Sequence, residues 1–148
     1  MTPALITPGP GSRITEFTKR FTFTGAANFG LTGSACTFLT ITGTVFVVAL
    51  IPVCAVDLGV TGAPTVTLGV TNNDVLFLAA TLGSVIDAGE AWINTTPAPD
   101  GLALPATMKD IVISADVIGT VAVAATSIDS GSIDFTIFYR SVNGGAVS

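Results

Sequence analysis

The residues that could do chemistry are few, and their types exclude most catalytic mechanisms. The chain of 148 residues has no histidine, two cysteines, and ten Asp+Glu against five Lys+Arg. Without histidine, Ser-His-Asp and Cys-His nucleophile activation, HExxH metalloprotease sites and histidine-based metal centres are excluded. Mechanisms based on carboxylate pairs or on lysine remain.

One carboxylate pair lies next to an aromatic residue: Asp87 and Glu90 precede Trp92. Two nearby carboxylates beside an aromatic side chain suggest sugar binding or glycoside hydrolysis. The simpler interpretation is a turn whose acidic side chains bond the local backbone, followed by a packed tryptophan. We favour the turn, because the chain offers no further polar cluster with which to build a sugar site.

Other candidate ligand sites are weaker. Asp129 and Asp134 carry carboxylate oxygens of the kind that calcium prefers, but no D-x-D-x-D-G loop surrounds them. Asn94 begins a glycosylation motif, which we interpret as a chance match because no secretory signal is apparent. No glycine-rich segment has the phosphate-binding pattern of glycine and lysine. We therefore predict no catalytic, cofactor or metal site, and a protein that is not an enzyme.

Both cysteines, Cys36 and Cys54, lie in apolar segments without a CxxC motif. This placement is typical of buried thiols, and the spacing leaves a disulfide open. The first residues have neither a basic region nor a sustained apolar region, so we expect no signal peptide.

The apolar segment 45–56 requires a test for membrane insertion. It is much shorter than the roughly 20 residues of a transmembrane helix, is rich in β-branched residues and contains Pro52. It predicts a strand buried on both faces, or two strands meeting near Pro52, and no membrane partner.

Charge is unusually scarce in this chain. Charged residues make up 10% of it and hydrophobic residues 49%, with a mean hydropathy of +0.77, whereas about 25% charged residues is usual. The net charge of −5 argues against a nucleic-acid partner. The basic residues Arg13, Lys19 and Arg20 have a solvated strand edge as their simplest interpretation. A surface with so few charges predicts partial coverage by other subunits.

Alternation of apolar and polar residues with period two recurs along the chain, separated by Gly, Pro, Asn and Asp. It predicts strands over 13–24, 37–42, 45–56, 65–70, 75–80, 110–114, 117–125 and 132–140, with the longer loops at 25–34, 57–64 and 95–105. No window has a helical stripe. We therefore predict an all-β fold: a single antiparallel β-sandwich or jelly-roll-like domain over 13–142, preceded by an extended Pro/Gly-rich arm at 1–12 and followed by a flexible tail at 143–148.

Several of these strand segments carry a resemblance to a known group. They are GAPTVTLGVT at 62–71, LAAT at 78–81, IDAGEAW at 86–92, DIVI at 110–113 and IDFTIFYR at 133–140. Together they resemble small virion proteins of tailed bacteriophages, including head decoration (cement) proteins. The resemblance implies an all-β fold and symmetric assembly, commonly as a trimer, and it supplies no catalytic residues.

These observations lead us to expect a capsid decoration protein that stabilises a phage head. Its partners would be further copies of itself, as a homotrimer, and the major capsid protein or other virion proteins, with assembly in the host cytoplasm and a final location in the virion. The arm and the basic residues are the expected assembly interface, namely Thr2, Pro3, Pro8, Pro10, Arg13, Lys19 and Arg20.

Two alternatives come from other functional classes. In a tail-fibre or receptor-binding domain, Trp92 and the loop at 95–105 would contact a cell-surface glycan, since exposed aromatic side chains are good contact anchors. In a glycosidase, Asp87 and Glu90 would act as the carboxylate pair.

Overall fold

The computed structural model describes residues 13–148, which form an all-β structure, as predicted. Two short 3₁₀ turns, at Gly83–Val85 and Ala106–Met108, join the strands. No helix among the described residues is long and apolar enough to cross a membrane. The eight strands are β1 (Thr15–Thr22), β2 (Ala35–Leu39), β3 (Ile41–Thr61), β4 (Thr65–Val70), β5 (Asn73–Leu82), β6 (Lys109–Ile113), β7 (Val117–Ala122) and β8 (Ser127–Val147).

The strands form two four-stranded antiparallel sheets, which confirms the predicted β-sandwich. Sheet A has the order β1-β8-β3-β6, and sheet B has the order β2-β7-β4-β5. The first strand pairs with the last, the second with the seventh, the third with the sixth and the fourth with the fifth. This nested pairing is that of a long hairpin rolled into two sheets, the jelly-roll arrangement.

Aromatic side chains pack between the two sheets and form the centre of the core. The Phe38 ring stacks on Phe135 with ring centroids 4.3 Å apart, and Phe21 meets Phe38 edge to face at 5.0 Å. The indole of Trp92 is also edge-on to Phe38, and its Nε1–H donates a hydrogen bond of 2.9 Å to the hydroxyl oxygen of Thr81. Because these rings fill the space between the two sheets, the opposite face of each sheet points outward.

β3 differs from its prediction in length and in burial. It is one strand that runs through Pro52 to Thr61, so the alternative of two strands meeting near Pro52 is wrong, and much of the loop expected at 57–64 is absent. β8 pairs with it as far as Thr61 opposite Ser127, and several register shifts along the pair are bulges that absorb irregularities. One face of β3 is buried rather than both, since the apolar residues of its other face lie on the outside of sheet A.

The predicted tail at 143–148 is wrong in its first five residues, which belong to β8. Asn143 and Gly144, with φ of 50° and 77°, form an irregularity within the strand and do not end it. Beyond them Val147 lies opposite Ile41, and Ser148 and Thr40 exchange backbone hydrogen bonds of 2.8 and 2.9 Å. Pairing with β3 therefore continues beyond the turn-forming residues Asn143 and Gly144 of β8. The predicted arm at 1–12 lies outside the described residues.

Connecting segments close one side of the sandwich. Residues 89–92 pair with the second half of β3, where Gly89 N–H donates to the Cys54 carbonyl at 2.8 Å and Trp92 N–H donates to the Pro52 carbonyl at 2.9 Å. Near β5 and β6, the Thr107 hydroxyl donates to the Phe77 carbonyl at 2.9 Å and so covers part of the β5 edge. The opposite side of the sandwich, between β1 and β2, has a cleft instead.

Candidate functional site

The outer face of sheet B carries little charge. Asp74 of β5 follows Asn73, which pairs with the inward residue Val70, so Asp74 lies on the outer side. β2, β4 and β7 contain no Asp, Glu, Lys or Arg, and β5 contains only Asp74. The cross-strand pairs identify the outward residues, since paired residues share a face. The face consists of Ala35, Thr37, Thr65, Thr67, Gly69, Ile118, Thr120 and Ala122.

Short side chains make this outer face flat and inexpensive to dehydrate. Ala35, Thr37 and Ala122 are exposed and Thr65 and Thr120 are half-buried, whereas Thr67, Gly69 and Ile118 are already buried in the single chain. Removing water from alanine and threonine costs much less free energy than removing it from an ionised group. The face is therefore chemically suited to close contact with another protein surface.

Exposed apolar side chains surround sheet B. Phe29 and Val123 are each 48% exposed, Val75 at the start of β5 is 51% exposed, and Leu31 and Leu82 are also exposed. Single exposed hydrophobic residues are ordinary, but a group of them beside a charge-poor face marks a candidate interaction site.

Sheet A presents a different outer face. Arg20 and Asp134 lie opposite each other and form two hydrogen bonds of 2.7 and 2.9 Å. The Arg20 guanidinium holds the pKa of the Asp134 carboxyl below its usual value, and Asp134 raises the pKa of Arg20. Glu16 and Arg140 also lie on this face, beside the apolar residues Phe46, Ile51, Val53, Val112 and Phe138.

The three basic residues predicted as one interface are not brought together. Lys19 and Arg20 are neighbours on β1, so their side chains point to opposite faces of sheet A. Arg20 is committed to Asp134, and Arg13 lies exposed before the strand. The three residues therefore do not form one continuous patch, and their role in assembly stays a prediction. The other predicted interface residues, Thr2, Pro3, Pro8 and Pro10, lie outside the described residues.

A cleft opens between the adjacent edges of the two sheets. Its volume is about 400 Å³, and it is lined by Phe21, Asn28, Phe29, Ala35 and Thr37. The exposed Phe29 ring stacks on Phe21 with ring centroids 5.7 Å apart and an interplanar angle of 11°. We did not predict this cleft from the sequence. The available signal was Phe29, a large apolar residue within the glycine-rich connection at 25–34.

The structure supports the turn interpretation of Asp87 and Glu90. Glu90 N–H donates to the Asp87 carbonyl at 3.1 Å, and Asp87 N–H donates to Oε2 of Glu90 at 3.2 Å. Trp92, proposed as a glycan contact in the alternative, is 0% exposed and packs in the core. That role for Trp92 is wrong, because its indole has no surface to offer a ligand.

The two cysteines are free and buried, one in each sheet. Burial raises the pKa of the Cys36 thiol to about 11. Burial raises the pKa of the Cys54 thiol to about 11 as well, and the nearby negative charges of Asp57, Asp87 and Glu90 add to the effect. Both thiols therefore stay protonated and unreactive at neutral pH.

Asp129 and Asp134, considered for calcium, have separate protein partners. Asp129 accepts hydrogen bonds from the hydroxyls of Ser127 and Thr61 at 2.5 and 2.6 Å, which lower the pKa of its carboxyl. Asp134 binds Arg20 instead. Across 13–148, no group of three or more Cys, Asp or Glu residues is arranged to hold a metal ion.

Comparison with known proteins yields a likeness of fold. No protein-family model and no curated protein sequence matches the chain. Among solved structures, the chain is similar to one described as "Cyanophage Pam1 capsid asymmetric unit", with a TM-score of 0.53 and 20% sequence identity. The alignment covers 95% of this chain and 93% of that chain, so the likeness extends over the whole sandwich.

Proposed function

We propose that this chain is a structural protein of a bacteriophage virion, acting as a head decoration (cement) protein that stabilises the shell. The observation that carries the proposal is the charge-poor outer face of sheet B, on which β2, β4 and β7 contribute no charged residue and β5 contributes Asp74. A soluble antiparallel sheet ordinarily has a polar outer face. A face of Ala, Thr, Gly and Ile is better suited to contact with protein than to water.

The fold likeness supports the same proposal. The similar structure is a component of a cyanophage capsid, and the alignment spans nearly the full length of both chains. Jelly rolls also occur in proteins without any connection to virions, so the fold by itself does not specify a function. The fold and the charge distribution together favour a role in a symmetric shell.

The proposed mechanism is repeated weak contact. Each chain carries a net charge of −5, so copies repel one another, and the repulsion is weakest where fewest charges come close. Sheet B, with Asp74 as the one charged residue in its strands, provides such an approach. In a shell the contact is repeated by symmetry, and the resulting avidity exceeds the affinity of any single contact. We propose that the partners are further copies of the chain, as a trimer, and the capsid protein beneath them.

The proposal assigns the chain no catalytic step. The Glu90 carboxylate accepts a hydrogen bond from Asp87 N–H within the turn that both residues form. Asp129 and Asp134 bind the side chains of neighbouring residues in the sandwich. The tail-fibre alternative loses its principal support with the burial of Trp92. Head decoration is therefore the function that we propose for the sandwich.

Quantitative mass spectrometry of purified phage particles that carry this chain tests the proposal. We expect a copy number comparable to that of the major capsid protein, and retention on heads separated from tails. A few copies that follow the tail fraction, or absence from the particle, would overturn the proposal. Particles produced without the chain should also release their DNA at a lower temperature than particles to which the purified protein is added back.

A further inference from the structure

The edge strands of the two sheets are protected to different degrees. An edge strand exposes unpaired backbone N–H and C=O groups, and natural sheets protect it with charged side chains, bulges or a covering segment. β1 and β6 carry charged residues, in the sequences TEFTKRFT and KDIVI. On β5, the Thr107 hydroxyl binds the Phe77 carbonyl, and the pairing with β4 is irregular. β2 has the uncharged sequence ACTFL, and its register shift lies beyond Thr37, so its first residues form the least protected edge.

The cleft lies beside this edge of β2. In the described part of the chain, β2 has a strand on one side only, namely β7. On its other side Ala35 and Thr37 line the cleft, and the stacked rings of Phe21 and Phe29 form the facing wall. Both β2 side chains are small and exposed. Another strand can therefore approach the edge there.

The hydrogen bonds of β2 show which of its backbone groups point to the free edge. The Ser34 carbonyl accepts a bond of 3.4 Å from Val121 N–H, beside β7. In an antiparallel ladder, the N–H and C=O of one residue point to the same side, and those of the next residue point to the other. Thr120, opposite Ala35, donates its N–H to a threonine hydroxyl of β4 at 3.1 Å, away from β2. The N–H and C=O groups of Ala35 and Thr37 therefore point to the free edge.

These groups are complementary to those of an identical strand. In an antiparallel pair about a two-fold axis at Cys36, Ala35 lies opposite Thr37 of the second copy, and Thr37 lies opposite Ala35 of the second copy. Each opposed pair then exchanges two hydrogen bonds, so none of these backbone groups stays unpaired. A strand cannot pair with itself, so the identical strand belongs to another copy.

The distribution of charge also favours a second copy at this edge. The chain has a net charge of −5, so copies repel one another in general. No charged residue occurs in 21–56, which includes β2 and the loop beside it, or in 117–128, which includes β7. A two-fold contact brings the same segments of both chains together. These segments meet without placing like charges opposite each other and without burying an ionised group.

We propose that two copies pair through the free edges of β2, antiparallel about a two-fold axis at Cys36, so that sheet B continues from one subunit into the next. Because the contact is two-fold, it links one trimer to another and not the chains within a trimer. The inference deepens the proposed function, and rests on it for the shell in which the contact is repeated.

Disulfide trapping on the full chain tests the contact and its register. Ala35→Cys and Thr37→Cys are mixed and oxidised, and the dimers are separated without reductant and distinguished by mass. Opposed residues have Cα atoms about 5.5 Å apart, which a disulfide can span, whereas either variant paired with itself places its new thiols on residues roughly 7–8 Å apart. We therefore expect at least about tenfold more mixed dimer than dimer of either single variant. The unchanged protein, whose thiols are buried with pKa values of about 11, gives the background.

Ala106→Cys is the matched control, because Ala106 is exposed at the other side of the sandwich. Mixed with Thr37→Cys, it should give no more dimer than the background. Equal trapping at Ala106→Cys, or a mixed dimer no more abundant than the dimers of the single variants, would overturn the inference. Absence of dimer with slow maleimide labelling of Ala35→Cys would also overturn it, since another segment of the same chain would then cover the edge.

A lysine at the edge gives a second test that needs no thiol. Ala35→Lys should weaken self-association about tenfold in Kd, because a charged side chain discourages strand addition. Ala106→Lys makes the same change of net charge and should alter the Kd by less than about twofold. Sedimentation velocity measures the association, and circular dichroism should show both variants folded. Equal effects of the two lysines would contradict pairing through β2.

The outcomes separate this inference from the proposed function. A protein abundant in phage heads that shows no trapping retains the proposed function and loses the pairing through β2. A protein that is trapped as the mixed dimer but is absent from particles retains the pairing and loses the proposed function.

Discussion

Charged residues are distributed unequally between the strands of the two sheets. The strands of sheet A carry charged residues on β1, β3, β6 and β8, including the ion pair of Arg20 and Asp134. The strands of sheet B carry only Asp74. Both sheets contribute equally well to one core, so packing within the chain does not require this difference. We propose on this ground that sheet B is the face that contacts protein, although sheet A also exposes Val53 and Val112 between its charged residues.

The depletion of charged residues is thus greatest in one part of the chain, the strands of sheet B. A sequence with 10% charged residues could be depleted of charge evenly, or depleted on one surface only. The structure shows the second case.

A lysine placed on each face gives the largest expected contrast. Thr120 of β7 and Thr136 of β8 are half-buried threonines on the outer faces of sheets B and A. Thr120→Lys should weaken self-association by about 3 kcal/mol, or roughly a hundredfold in Kd, because an unpaired ammonium loses its water in the interface. Sedimentation velocity measures the change.

Thr136→Lys is the matched control for that variant and should change the Kd by less than about twofold, since an exposed charge costs little. Circular dichroism should show both variants folded. Equal effects from the two variants, or a larger effect from Thr136→Lys, would contradict the assignment of sheet B as the contact face.

Salt sharpens the comparison further. Association through a charge-poor face depends little on ionic strength, whereas association through sheet A would weaken as salt screens Arg20, Asp134 and their neighbours. We expect the Kd to change by less than about threefold between roughly 0.05 and 0.5 M sodium chloride, the range over which screening becomes strong. A steep weakening with salt would point to the charged face instead.

The ion pair of sheet A should have a small effect, confined to the single chain. The pKa of Asp134 is lowered in the folded protein, so its contribution to stability is present above the ordinary carboxyl value near 3.9 and is lost as the pH falls below it. Asp134→Asn should lower the midpoint of urea unfolding slightly at pH 7. The difference from the unchanged protein should disappear in acid, and self-association should not change.

The buried thiols should give the smallest effect. Cys36 lies beneath sheet B and Cys54 beneath sheet A, and both have pKa values raised to about 11. If copies dock without opening either sheet, alkylation with iodoacetamide at pH 8 should be slow at both and should not change on assembly. Faster labelling of Cys36 on assembly would mean that sheet B rearranges and does not dock as a preformed face.

Period-two patterning was sufficient to predict the fold class, because inward apolar side chains alternate strictly over 133–139 of β8 and are interrupted only by Lys19 in β1. It did not predict the ends of β3 and β8, which depend on the pairing between them. Residues 59–61 of β3 and residues 146 and 147 of β8 follow turn-forming residues but have partners across the ladder. Local sequence carries no record of these partners, since Thr61 pairs with Ser127 and Ile41 with Val147, far along the chain.

The candidate surface was less predictable than the fold. The scarcity of charge was visible in the composition. That the strands poorest in charge lie together in sheet B depends on the order β2-β7-β4-β5, which brings together strands distant in sequence. The basic residues and Trp92 drew attention because their types are conspicuous. Strand alternation separates Lys19 from Arg20, and the hydrogen bond to Thr81 accompanies the burial of Trp92 in the core.

The most direct test of the account is an electron cryomicroscopy map of the assembled protein at side-chain resolution. The account predicts that Thr37, Thr65 and Thr120 of sheet B lie within contact distance of a neighbouring chain, whereas Arg20 and Thr136 of sheet A face solvent. A map in which sheet B faces solvent and sheet A contacts the neighbours would contradict it.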